Sequence, residues 1–329
     1  MNTSPNPFNH ISMPKVLYHR SDNSNSTISL GITIGYESRE EGLSWNTEGF
    51  IEFLDEHLIT HSFMPDETSQ TANSQVVKKA KDAYNYLKKY CNRCNNENER
   101  DDRPLKGILG EWFLHAFSTI FFKTQSLYSK VYLHQGRGAV HGFDIVHYKK
   151  SENDLGFSLW LGEAKFYKTL TGAIDSALKS LKKACEYEYL KAQERESGVN
   201  GEIAFISRYS TAGKHGENQD TVKKIIDYLN MNQQISIDDF LQKISIPVLL
   251  VISEEEVKTI SGMTKDEVKK ALHESASKAD DTFFKKLTKE YQNLKNIDIR
   301  VIVLPLGNYE DLVKEFENMI LGVVDKNGF

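Results

Sequence analysis

The sequence predicts a layered α/β fold, and three observations carry that prediction. Two strong apolar runs in the C-terminal third, "ISIPVLLVI" and "NIDIRVIVLPL", read as buried strands with a long helical stretch, about 264–295, between them. Two further strand-like runs (142–148 and 157–166) are followed by an amphipathic helix over about 171–191. Ahead of them, "LKGILGEWFLHAFSTIFFK" places Leu109, Trp112, Phe113, Ala116, Phe117, Ile120 and Phe121 in one wide apolar stripe, the mark of a buried helix. Strands alternating with helices imply an α/β layered architecture.

The remaining elements are read in chain order. Residues 1–27 are polar and rich in Asn and Ser, and are expected to be loose at the start. "SLGITIGYE" alternates Leu30, Ile32, Ile34 and Tyr36 on one face and predicts a half-buried strand. "NTEGFIEFLDEHL" has helical spacing, residues 63–74 read as a loop, and "QVVKKAKDAYNYLKKYC" predicts a second helix. The polar run "NRCNNENERDDRP" is the best boundary, closed by Pro104. It divides an α+β N-terminal region, 1–95, from a main domain, 96–329. In the helix that follows, Glu111, His115 and Ser118 fall at i, i+4 and i+7 on another face from the stripe. Ile174, Ala177, Leu178, Leu181 and Cys185 point inward from the 171–191 helix. "EIAFISRY" reads as a short apolar strand, and "YEDLVKEFENMILGVV" as a closing helix.

Composition narrows the function classes. Hydrophobic residues are 39% and charged ones 26% of the 329, as in globular proteins. No apolar run is long enough for a membrane span, and "MNTSPNPFNHISMPKVL" lacks the plan of a signal peptide, so a cytoplasmic location without membrane attachment is expected. The three Cys agree with a reducing compartment. Cys91 and Cys94 form a lone C-x-x-C with no second pair, and are expected to be ordinary residues rather than a zinc site. The net charge of −5 excludes nucleic-acid binding by bulk charge; a local positive surface would be needed.

The stretch "HGFDIVHYKKSENDLGFSLWLGEAKFY" holds the chemistry. Folding it as an antiparallel hairpin about Asn153–Asp154, its most turn-like point, sets Asp144 opposite Glu163. Opposed residues share a face, and Lys165, two residues on, shares it too. Opposed carboxylates repel unless one is protonated or a cation lies between them. Hard oxygen ligands favour Mg²⁺, with Mn²⁺ as a substitute, held by Asp144 and Glu163. Such an ion activates water and offsets phosphate charge. Lys165 beside it would orient or help deprotonate that water, or offset the phosphate. Glu111, on the preceding helix, would add a further oxygen.

The pattern E-x-K alone carries little information, since Glu256–Lys258 and Glu267–Lys269 repeat it. Both follow capping-box patterns and read as first turns of surface helices. Only Glu163–Lys165 ends an apolar strand that follows an Asp-bearing one. A surface hairpin with a weak Glu–Lys pair accounts for the same residues until the register is known.

The order helix Glu, strand "GFD", strand "LGEAK", helix resembles the restriction-endonuclease-like PD-(D/E)XK core over about residues 105–210, and the resemblance implies a mixed central sheet flanked by helices. "KGILGEWFLHAF", "HGFDIVHY" and "LWLGEAKFY" are also similar to the nuclease subunit of Hachiman anti-phage defence systems (HamA-like). The resemblance implies metal binding by Asp144 and Glu163, a catalytic Lys165 and a helix acid at Glu111. It further implies DNA as substrate, a superfamily 2 helicase subunit (HamB-like) as partner, and a role in phage defence. The Pro of the family name is missing, with Phe143 before Asp144. The complete Asp/Glu/Lys set argues against a member that has lost catalysis.

Lys165, Lys168, Lys179, Lys182, Lys183 and Lys191 outnumber Asp175, Glu186 and Glu188 over 165–191. Lys168, Lys179, Lys182 and Lys183 are the candidate DNA contacts, and would position a backbone without reading its sequence. A solvated helix face explains them equally well. Arg137 and Lys214, in glycine-containing loops, are weaker candidates. His141 and His115 are expected in core or supporting roles. Two functions remain open: a Mg²⁺-dependent DNA endonuclease under control of its partner, or a non-catalytic regulatory or DNA-binding subunit on the same fold. Residues 1–95 are expected to dock the partner or gate the site.

Overall fold

The computed structural model describes residues 17–22, 28–33, 36–39, 42–46, 78, 81–88, 91, 102–127, 143–151, 155–186, 203, 206–207, 210, 218–230, 236–256, 260–291, 294, 297–307 and 309–326. Strands form over Leu17–Asp22 (β1), Ile28–Thr33 (β2), Tyr36–Arg39 (β3), Gly42–Trp45 (β4), Gln125–Ser126 (β5), Ile145–Lys150 (β6), Phe157–Phe166 (β7), Ile244–Ser253 (β8) and Asp298–Leu306 (β9). Helices form over Arg103–Phe122 (α1), Leu170–Ala184 (α2), Gln219–Asn230 (α3), Ile237–Leu241 (α4), Lys265–Glu290 (α5) and Tyr309–Lys326 (α6).

Seven strands make one mixed sheet in the order β1-β2-β9-β8-β7-β6-β5. The pairs β2–β9, β9–β8 and β8–β7 are parallel, while β1, β6 and β5 join antiparallel. β8 is buried from Ile244 to Ile252, as a strand covered on both faces must be. One face carries Leu159, Leu161, Val248 and Val301 into a core with Ile174 of α2, Val222 of α3, Phe240 of α4 and Phe283 of α5. The other carries Ile145, Trp160, Leu249 and Ile302 into a core with Trp112 and Phe113 of α1 and Phe316 of α6. The predicted α/β class, a mixed sheet flanked by helices, is the fold adopted.

Several expectations are corrected. The segment 1–27 contains β1, which pairs with β2 from Leu17↔Thr33 to Asp22↔Ile28. "SLGITIGYE" is not one strand: β2 ends at Thr33 in the main sheet, and β3 begins at Tyr36 in a separate two-stranded sheet with β4. "EIAFISRY" is helical at residues 203, 206 and 207. Ile203 and Ile206 share one face at a spacing of three and are both buried, and Ser210 N–H donates to Ile206 O at 3.0 Å. A short apolar run has no periodicity to separate helix from strand, and its core contacts decide. The helix after β7 ends at Ala184, short of 191. α3 and α4 had no counterpart in the sequence reading. The expected helix in 47–58 and the loop 63–74 lie outside the described residues, as does Cys94. Residues 81–88 are helical as expected, and Cys91 is buried in the α1 core.

Helix α1 is fixed against β7 at both ends. Near its C-terminus, the Arg300 guanidinium lies 4.6 Å from the Trp160 ring centroid and 5.4 Å from that of Phe122, and bonds Asp298 at 3.0 Å. Nearer its N-terminus, two glycines allow close contact. A Cβ on Gly162 would stand 2.6 Å from Ile145 Cγ1 and 2.9 Å from Leu114 Cδ2; one on Gly110 would stand 3.2 Å from the Ala164 Cβ. Gly162→Ala therefore overpacks the α1–β7 contact. Urea denaturation should show a loss of about 1–3 kcal/mol, and an unchanged midpoint would mean that α1 can move aside at no cost.

Candidate functional site

The site is built where the β6–β7 hairpin runs out. The strands pair from Lys150↔Phe157 to Ile145↔Gly162. That is the register expected from the sequence; the ladder ends one step short of Asp144 and Glu163, and Asp144 is joined to β7 through Gly162 and Ala164 instead. At the other end Gly156, with φ +75°, takes a conformation that favours glycine, and Ser151 N–H donates to Gly156 O at 3.2 Å. The turn midpoint, 153–154, lies outside the described residues.

Asp144 ends the backbone ladder with its own side chain. Its N–H donates to Gly162 O at 2.8 Å, and its Oδ2 accepts from Ala164 N–H at 2.7 Å. The carboxylate satisfies a β7 backbone donor beyond the end of the ladder, which fixes its position.

On β7 the alternation that buries Phe157, Leu159 and Leu161 continues to Glu163 and Lys165. Glu163 is only 4% exposed, and Lys165 Nζ donates to its Oε1. Glu111 approaches from α1, one residue after Gly110, which packs on Ala164. The triplet Leu-Gly-Glu thus occurs twice, in "LGEW" and in "LGEAK". Each glycine brings helix and strand together, and each following glutamate reaches the same corner. That repeat was the available signal for the two glycines, which the sequence reading passed over.

The electrostatics follow from the crowding. Burial, reinforced by the charges of Glu163 and Glu111, holds the Asp144 carboxyl well above the usual carboxylate range, against the pull of Lys165 and the Ala164 N–H. Burial alone would lower the Lys165 ammonium, but Glu163 and Asp144 outweigh it and raise its pKa. Burial, with the charge of Glu163, pushes the Cys185 thiol up to about 12. That influence also shows that the C-terminal turn of α2 comes within electrostatic reach of Glu163. Among the described residues, no three His, Cys, Asp or Glu side chains converge closely enough to enclose an ion on their own. The donor set is nonetheless all carboxylate oxygen, with an excess of acid over base, and one or two carboxylates suffice for a well-hydrated Mg²⁺.

The other candidates divide. Lys168, Lys179, Lys182 and Lys183 are exposed, with Lys182 and Lys183 in that last turn of α2. His115 is buried in α1, its Nδ1 3.0 Å from His147 Nε2, while His147 Nδ1 lies 2.8 Å from Thr124 Oγ1; this is a core network between α1 and β6. His141, Arg137 and Lys214 lie outside the described residues. Of the two competing E-x-K pairs, Glu267 forms the expected capping box with Thr264. Glu256 belongs instead to a single 3-10 turn, Glu254–Glu256, and its Oε2 accepts from Leu170 N–H at 3.4 Å.

The arrangement is that of an acid–lysine corner on a mixed α/β fold. The HamA family model matches residues 11–320, and the chain belongs to that family. Membership makes it a subunit of the Hachiman type, with a role in antiviral defence. No curated protein matches the chain. Among the described residues, no helix is long and apolar enough to cross a membrane.

The raised Asp144 pKa fixes the sign of a stability test. A carboxyl whose pKa is raised by folding contributes stability that is full below the unfolded value, about 3.9, and lost as pH rises through the folded value. At neutral pH the chain therefore lacks some or all of that contribution and carries the cost of burying the acid. Asp144→Asn keeps an acceptor for the Ala164 N–H and removes that cost. In chelator at pH 7.5 its Tm should exceed that of the wild type, with the gap closing toward pH 4. A lower Tm at pH 7.5 would show the carboxylate to be a net stabiliser.

Proposed function

We propose that this chain is a Mg²⁺-dependent DNA nuclease that hydrolyses phosphodiesters in anti-phage defence, together with a superfamily 2 helicase subunit. The observation that carries the reading is the convergence of Asp144, Glu163 and Lys165 at the open end of one hairpin, with Glu111 beside them. The resemblance to the PD-(D/E)XK core and membership of the HamA family support it.

Asp144 and Glu163 would hold the ion, and Glu111 would accept hydrogen bonds from its waters. A bound divalent ion neutralises the paired acids, polarises a water and offsets charge on the phosphate. Lys165, with its pKa raised by the two acids, is an ammonium at neutral pH. That favours donor roles over proton abstraction: Lys165 orients the attacking water through one N–H and stabilises negative charge on the phosphate through another. Asp144, fastened to the Ala164 N–H, supplies a carboxylate oxygen that need not be repositioned for each turnover. The exposed lysines Lys168, Lys179, Lys182 and Lys183 would hold the DNA backbone. In a chain of net charge −5 their grip is weak, so the helicase partner supplies most of the affinity.

Two measurements test this. Glu163→Ala and Lys165→Ala should each lower Mg²⁺-dependent DNA degradation at least about 100-fold with an unchanged circular-dichroism spectrum. Undiminished degradation by both variants, from clean material, would sink the assignment. Separately, calorimetry should detect Mg²⁺ or Mn²⁺ binding to the wild type, and much weaker binding to Asp144→Asn. Identical traces would favour the second reading, a non-catalytic regulatory or DNA-binding subunit, for which the lack of three converging donors among the described residues is the favouring observation.

A further inference from the structure

Tyr167 stands apart on the surface. Among the described residues it is the one large hydrophobic side chain that is exposed, at 42%. It follows Lys165 by two residues, just past the end of β7. Its backbone is fastened to β8, with its N–H donating to Val251 O at 2.9 Å. Its hydroxyl donates to Ser176 Oγ on α2, also at 2.9 Å. Between these anchors the ring lies along the first turn of α2, where a Cβ on Gly172 would come 3.4 Å from Tyr167 Cδ1. The side chain is held at both ends, yet much of it meets solvent. Lys168 follows it and is exposed.

A ring that served only the core would be covered. A tethered ring beside a phosphate-directed site has a use, because it offers a flat apolar surface at little cost in side-chain entropy. In a duplex both faces of each base are already stacked, so such a ring gains only from a base whose face is free. We infer that Tyr167 is a stacking platform for an unpaired nucleobase next to the scissile phosphate, which makes single-stranded DNA the preferred form of the substrate. Lys168 then contacts an adjacent phosphate. This inference rests on the nuclease reading of the Asp144–Glu163–Lys165 corner, and it adds the strand form that the corner accepts.

The test is a binding measurement in the Glu163→Gln chain, where substrate is not consumed, by fluorescence anisotropy of labelled oligo-dT and of a hairpin duplex. Tyr167→Ala should weaken oligo-dT binding about tenfold and leave duplex binding unchanged, while Tyr167→Phe and Tyr167→Trp stay near the parent. Equal oligo-dT affinity in Tyr167→Ala would overturn the platform. So would a Tyr167→Phe loss as large as that of Tyr167→Ala, which would assign the effect to the Ser176 tether, or an equal loss on duplex. No measurable oligo-dT affinity, with wild-type cleavage intact, refutes the platform and leaves the nuclease reading standing. A wild type that neither binds nor cuts DNA in the presence of its partner refutes both.

Discussion

A slip of one residue between β6 and β7 would turn Asp144 away from Glu163, because side chains alternate faces with period two. The register is held from three directions. Apolar residues on both faces of β7 enter different cores, so a slipped strand would exchange Leu159 and Leu161 for the bulky Trp160. Gly162 sits against Ile145 and Leu114, where only a residue without a Cβ fits. Gly156, just ahead of β7, takes a positive φ and accepts from the Ser151 N–H across the hairpin. None of these constraints involves the acids, so the scaffold delivers them to one place whatever their own interaction energy.

That independence matters because the interaction is unfavourable. Asp144 and Glu163 share a corner with one ammonium, the charge of Glu111 reaches Asp144 from α1, and the raised Asp144 pKa records the imbalance. The Lys165–Glu163 pair relieves part of it, but a buried ion pair seldom repays its own desolvation. The central strands β8 and β9, buried along nearly their whole length, are the places from which such a cost is offset. A site that sets like charges together on a well-packed scaffold is the pattern expected of function.

The same contrast explains what the sequence made legible. β6, β7, β8, β9, α1 and α5 were readable because each is long enough to display a period or an unbroken apolar run. The hairpin register was readable because its turn chemistry and its alternation agree on one midpoint. "EIAFISRY" was misread because eight residues show no period and their partners lie far along the chain. The break in "SLGITIGYE" was invisible because alternation continues across it; only pairing decides that Ser29 to Gly31 join β9 while Tyr36 to Arg39 join β4. β1 was missed because a strand paired on a polar-looking stretch carries no apolar alternation to announce it. Cys185 lies close enough to feel Glu163 only through the way α2 packs, and no local pattern encodes that.

Burial, rather than motif, separates the chosen Glu–Lys pair from its look-alikes. Glu267 spends its carboxylate on the Thr264 N–H and hydroxyl, each at 2.8 Å, and Lys269 pairs with an Asp266 whose side chain is 95% exposed. Water already solvates those charges, so no ion is needed and little is gained by the pairing. Glu256 is committed to the first turn of α2 through Leu170 N–H. Glu163, by contrast, is at the end of a buried strand, its side chain 5% exposed, with a second acid fixed opposite it by a backbone bond and a third arriving from α1. Burial keeps bulk water from screening that group, and among the described residues Lys165 is the cation bonded to it. On the proposed function, a hydrated divalent ion and the phosphate it accompanies would meet the oxygen donors and the lysine beside them.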